Sequence, residues 1–128
     1  MNERDIDILN NILKYCNQID EANRQYDSSI ENFEENSVYR KAVAMCVLQI
    51  GELAKHLSEE FKFQTNDEIP WYQIQGLRNV VAHEYSKIDL ESLWETITED
   101  IPQLCEFCSE QVMKNNEQTQ SDFPELKM

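Results

Sequence analysis

Only two glycines and three prolines punctuate this chain of 128 residues. Those residues supply the positive φ angles and preset turns on which hairpins and short strands depend. A β-sandwich of this length needs many such turns, so their scarcity argues against one and for long helices with few breaks. Hydrophobic residues make up 41% of the chain, enough for a packed interior. The length suits one domain with one core. The fold class expected is all-α, an antiparallel four- to five-helix bundle.

Hydrophobic spacing places the helices. Ile6, Leu9, Leu13, Cys16 and Ile19 recur at helical intervals with Ile12 beside them, predicting a helix from Glu3 to about Tyr26. Asp27-Ser28-Ser29 interrupts it. The acidic, weakly patterned stretch from Ile30 to Asn36 reads as a connection with room for a short helical turn. Ser37 is the expected N-cap of a second helix running to about Phe61. Its apolar residues, from Val38 and Ala42 through Met45, Cys46, Ile50, Leu53, Ala54 and Leu57, cover much of its surface, which predicts a central position. Phe61 to Glu68 reads as a polar loop. Pro70 suits the first position of a third helix carrying Trp71, Ile74, Leu77, Val80 and Val81. Asp89 would cap a fourth, with Leu90, Leu93, Trp94, Ile97, Ile101, Leu104, Cys105, Cys108 and Val112 along one side. Pro102 removes a backbone bond inside that helix, and a kink is expected near residues 98 to 102. From Lys114 the composition turns polar and loses its period. Residues 1–113 are therefore read as the domain and 114–128 as a flexible polar tail.

The formal net charge is −14, from 25 acidic and 11 basic side chains. Such a surface repels phosphate backbones on average, so an RNA substrate would need a local basic spot. No apolar run follows Met1 and no stretch approaches a membrane span, which makes the cytoplasm the expected location. Its four cysteines should then be thiols. Cys16, Cys46 and the Cys105-x-x-Cys108 pair could in principle bind zinc. The spacing of the first two is not metal-like, and Leu104 and Phe107 flank the others. Buried cysteine acting as a small hydrophobe is the reading preferred, with no metal and no cofactor expected.

The third helix ends in Arg78-Asn79-Val80-Val81-Ala82-His83-Glu84-Tyr85. At about 100° per residue, Asn79 and His83 form an i, i+4 pair, Tyr85 lies on the line of Arg78, and the apolar residues take the opposite arc. A guanidinium, an amide, an imidazole and a phenol thus share one polar face, provided that the helix reaches His83. These groups suit metal-free phosphate chemistry. Arginine binds phosphate bidentately and can stabilise a phosphorane-like transition state. Histidine can move a proton to or from an RNA oxygen.

Glu52 is an acid within Leu48-Gln49-Ile50-Gly51-Glu52-Leu53-Ala54. It either pairs with Arg78, since cations are sparse nearby, or joins Gln49 and His56 in a solvated stripe. Gly51 costs roughly 1 kcal/mol against alanine in mid-helix. The expected compensation is the close approach of another backbone, within the fold or across a dimer.

Taken together, Ile50-Gly51-Glu52-Leu53-Ala54, Ile69-Pro70-Trp71, Gly76-Leu77-Arg78-Asn79, His83-Glu84-Tyr85, Ile88-Asp89, Leu93-Trp94 and Ile101-Pro102-Gln103-Leu104 resemble the HepT branch of the HEPN superfamily. The likeness spans about residues 38 to 104. It implies a HEPN-like bundle that forms a homodimer and acts on RNA as a metal-independent ribonuclease, the toxin of a toxin–antitoxin pair. Carried over, Arg78 and His83 would be catalytic, with Asn79 and Glu52 supporting. The implied partner is a nucleotidyltransferase antitoxin of the MntA type, which transfers AMP to Tyr85. The alternative is a non-catalytic helical module that serves as the partner and modification substrate of such an enzyme.

Overall fold

A computed structural model describes residues 2–84 and 90–121, with the side chains of 2–78 and 90–117. Among these residues the regular structure is entirely helical. Four long helices, α1 (Glu3–Gln25), α3 (Ser37–Lys55), α5 (Trp71–Glu84) and α7 (Ile101–Ser121), are joined through short α2 (Ile30–Glu35), α4 (Glu59–Thr65) and α6 (Leu90–Glu95). The all-α bundle expected from the turn-poor sequence is the architecture found.

Helix α3 is central, packing against both α1 and α5, while α7 also packs against α1. Its buried residues Tyr39, Val43, Ala44, Cys46, Val47, Ile50, Gly51 and Ala54 spread over more than one stripe, as a helix with two neighbours requires. Leu9, Ile12 and Ile19 from α1 meet them with at most 1% of their surface exposed. Each such side chain contributes about 1.5–3 kcal/mol of hydrophobic stabilisation relative to exposure.

Several boundaries differ from the sequence reading. The N-cap of α3 is Asn36, whose Oδ1 accepts from the backbone N–H groups of Val38 (2.9 Å) and Tyr39 (3.1 Å). Ser37 is the first helical residue. One amide oxygen satisfies two otherwise orphaned donors, which explains why the cap falls there. Helix α3 then stops at Lys55, before Phe61, and α4 (Glu59–Thr65) runs into the stretch expected to be a polar loop. Ser58 caps α4, its Oγ accepting from Phe61 N–H at 3.1 Å. The corner is pinned from α1. Buried Asp5 accepts from the Ser58 backbone N–H (2.9 Å) and hydroxyl (2.7 Å).

Two aromatic clusters close the bundle. Tyr26 stacks on Tyr39 at 4.5 Å between centroids, and Phe33 and Trp94 complete the group around α2. Trp71 meets Phe61 and Phe107 at 6.0 and 5.9 Å. Its Nε1–H donates to Thr65 Oγ1 at 2.8 Å.

The disturbance expected from Pro102 takes the form of a π-helical turn, Thr96–Asp100, between α6 and α7. Ile101 N–H bonds the carbonyl of Thr96, five residues back. Proline has no N–H, and its ring crowds the carbonyl four residues earlier, so a widened turn relieves both conflicts. Helix α7 continues past Lys114 to Ser121, into the polar stretch. No helix among the described residues is long and apolar enough to cross a membrane.

Candidate functional site

Helix α5 begins at Trp71, just after Pro70, whose carbonyl accepts from Gln73 and Ile74 N–H at 3.0 and 3.1 Å. Trp71 and Ile74 are buried and turn this helix onto the core. Helix α5 runs to Glu84, so the positions of Arg78, Asn79 and His83 all lie on one regular helix. That satisfies the condition on which the shared polar face depended. The side chains of Asn79 and His83, and the whole of Tyr85, lie outside the described residues.

Arg78 pairs with Glu52 across the α3–α5 contact, Nε to Oε1 at 3.2 Å. Of the two readings of Glu52, pairing is the one observed. His56, the third member of the alternative stripe, ends α3 as its C-cap. The side chains of Arg78 and Glu52 remain 42% and 35% exposed, so an anionic ligand can still reach the guanidinium. Solvent screening keeps such a pair to about 0–1 kcal/mol of stability, and its effect is chiefly orientational.

Gly51 explains how the arginine comes so close. A Cβ at Gly51 would lie 2.9 Å from both Arg78 Cβ and Arg78 N, and 3.2 Å from the Ile74 carbonyl oxygen. The expected close approach occurs within the fold, and it occurs against the backbone that carries Arg78.

Other features were not legible beforehand. Lys62 is buried, with only 4% of its side chain exposed, and its Nζ lies 3.1 Å from Glu59 Oε1 and donates to the Lys55 carbonyl at 3.4 Å. The Lys62 ammonium beside Glu59 holds that carboxyl below its usual pKa. Tyr72 is 71% exposed on α5; its ring sits over Lys62 Nζ at 5.9 Å, and its hydroxyl donates to Glu59 at 3.3 Å. Gln75 Nε2, about one turn before Arg78, is buried with no hydrogen-bond partner among the described residues. The Glu59–Lys62 spacing of i, i+3 was the available signal for the first of these.

The cysteines behave as core residues. Cys16 is 2% and Cys108 0% exposed. The fold nevertheless brings α1 and α7 thiols together, which their spacing did not announce. Burial pushes the Cys16 thiol up, with Cys105 and Cys108 adding to the effect. Burial likewise raises Cys108 to about 12. Raised in this way, these buried thiols hold little thiolate at neutral pH, which suits small core side chains. Among the described residues no cluster of three or more His, Cys, Asp or Glu is arranged to hold a metal.

Two cavities lie away from Arg78. One of about 410 Å³ between α1 and α7 includes Cys16, Ile19, Ile101 and Cys105; another of about 300 Å³ includes Ile69, Leu77 and Leu104.

Comparison with known proteins bears on the same region. Residues 12–111 match the model of a family described as "Ribonuclease HepT-like". A protein of Thermococcus cleftensis named as a probable ribonuclease HepT is 33% identical over 98 residues, covering 77% of this chain and 86% of its own. A candidate RNase of Caldanaerobacter subterraneus is 34% identical over 96 residues, 75% of this chain and 83% of that one. A candidate RNase of Methanocaldococcus jannaschii is 31% identical over 105 residues, 81% and 94% of the two chains. No solved structure matches.

Proposed function

Because the chain belongs to the ribonuclease HepT-like family, we propose that it is a metal-independent endoribonuclease whose catalytic residues are Arg78 and His83, with Asn79 and Glu52 supporting. The observation that carries this reading is the seating of Arg78: its backbone is pressed onto Gly51 and its guanidinium is oriented by Glu52, yet the side chain stays accessible. A guanidinium held this way can bind a phosphodiester and stabilise the charge that grows on its oxygens. An imidazole at position 83 can take the proton of the attacking oxygen or give one to the leaving oxygen.

The partners proposed are RNA, a second copy of the chain and a nucleotidyltransferase antitoxin. On the outer face of α3, Val38 and Met45 are 66% and 57% exposed, with exposed Ala42 between them. This line continues at helical spacing through Gln49 to Glu52. A copy seated there would bring two Arg78 sites towards each other. The antitoxin would transfer AMP to Tyr85: the phenol oxygen attacks the α-phosphorus of ATP, loses its proton, and pyrophosphate departs. The net charge of −14 favours a second reading, a non-catalytic module that is only the substrate of that transfer.

Cleavage of RNA by the purified protein in the presence of EDTA tests the proposal. His83→Ala is expected to slow cleavage by about 10²–10⁴-fold. Equal rates for the two proteins would sink the catalytic role and leave the module. Sedimentation of the same samples is expected to show a dimer that Met45→Glu converts to monomer. An adduct of AMP on Tyr85 after co-expression with the antitoxin would be read by mass spectrometry, and its absence would count against the transfer.

A further inference from the structure

The chain carries a formal net charge of −14. Long-range attraction to phosphates therefore contributes little to holding RNA, and affinity must come from contacts that do not depend on charge. Among the described side chains of α5, the exposed aromatic one is Tyr72.

Its position follows from the helix. Positions 72, 76, 79 and 83 are separated by four, three and four residues and so fall on one line of α5. At the helical rise of about 1.5 Å per residue, position 72 lies about 10 Å from position 79 and about 16 Å from position 83. Between them is Gly76, where an added Cβ would meet nothing within 4 Å. The stretch from the tyrosine towards the proposed catalytic residues is therefore unobstructed at Gly76.

The ring is also held. An exposed aromatic side chain ordinarily samples several rotamers, and ordering it on binding costs affinity. Tyr72 is fixed from two directions by α4: the Lys62 ammonium lies under one face, and the Glu59 carboxylate accepts from its hydroxyl. Lys62 is itself buried and bonded, so the support is rigid, and its charge offsets that of Glu59. The side chain is nevertheless 71% exposed. Phe63, 79% exposed, sits one turn beyond Glu59 on the same line of α4.

We propose that Tyr72 is a stacking platform for a base of single-stranded RNA, set on the line of α5 that carries positions 79 and 83. The inference rests on the ribonuclease reading of the Arg78 face for its choice of ligand. Unpaired bases stack on aromatic side chains without regard to sequence, whereas bases within a duplex are already stacked on one another.

The test uses a single-stranded decaribonucleotide carrying 2-aminopurine, titrated into His83→Ala protein so that no cleavage intervenes. Tyr72→Ala in that background is expected to weaken binding about tenfold or more and to abolish the quenching of the fluorescent base. Tyr72→Phe is expected to restore both, and Tyr72→Leu neither. Affinity is expected to fall only shallowly with salt, and a duplex of the same sequence to bind without dependence on residue 72. Equal binding by Tyr72 and Tyr72→Ala proteins, or a leucine as effective as phenylalanine, would overturn the stacking role. Cleavage by the protein with His83 intact, alongside either result, would leave the ribonuclease reading in place. Tyr72-dependent binding with no cleavage by the protein with His83 intact would do the reverse.

Discussion

Gly51→Ala is expected to destabilise the protein, although alanine is ordinarily the better helix former by about 1 kcal/mol. The new Cβ would sit 2.9 Å from Arg78 N and Arg78 Cβ and 3.2 Å from the Ile74 carbonyl oxygen. Two of these are backbone atoms of a packed helix and cannot swing aside, so α3 and α5 must separate. Overpacking of this kind costs about 1–3 kcal/mol, a drop of several degrees in thermal midpoint for a domain of this size. Gly76→Ala is the internal control, because the same change there meets nothing within 4 Å. It is expected to raise the midpoint by the ordinary helix-propensity gain. Thermal melts of the two variants decide the matter: shifts in the same direction would show that the helix contact does not set the requirement at Gly51. Activity should fall further than stability in Gly51→Ala, since a displacement of about 1 Å at a positioned group can cost 10²-fold in rate.

The second large effect is expected at Arg78. Arg78→Ala should reduce the turnover of RNA by about 10²–10³, the usual loss when one donor to a developing oxyanion is removed. The melting midpoint should move little, because the half-exposed pair with Glu52 contributes about 0–1 kcal/mol at most. Arg78→Lys preserves the charge but not the planar fork that grips two phosphate oxygens, so it should recover only a small part of the rate. Glu52→Gln keeps a hydrogen-bond acceptor beside Arg78 and should cost less than either. Full activity in Arg78→Lys would show that charge alone suffices. Full activity in Arg78→Ala would remove this residue from the catalytic pair.

Long amphipathic stretches were legible in the sequence because local spacing alone decides them. Leu9, Ile12, Cys16 and Ile19 fall on one face wherever a helix forms, and they are buried. Gly51 and Glu52 were legible as anomalies, a residue too small and a residue too polar for an apolar helix. The sequence did not say that one arginine answers both. What escaped detection depends on residues far apart. Helix α4 is anchored by Asp5, which reaches Ser58 across 53 positions. No local pattern in the run from Glu59 to Thr65 signals that anchor. Pro102 announced a disturbance but not its form, because a kink and a widened turn relieve the same clash. The meeting of Cys16 with Cys105 and Cys108 is a property of how α1 lies on α7. The side chains of Asn79 and His83, together with Tyr85, fall outside the described residues, and their roles stand as proposals for the experiments above.

The two aromatic clusters give the protein a pair of built-in optical reporters. Trp71 opens the site helix α5 and sits with Phe61 and Phe107, linking α4, α5 and α7. Trp94 belongs to α6 and sits with Phe33 and Tyr39, linking α2, α3 and α6. One indole thus precedes the Arg78 segment in the chain and the other follows it. Each occupies a different neighbourhood, so emission from Trp71 and emission from Trp94 sense separate parts of the bundle. Read one at a time in proteins that keep a single tryptophan, they resolve a local opening around α5 from loss of the whole bundle.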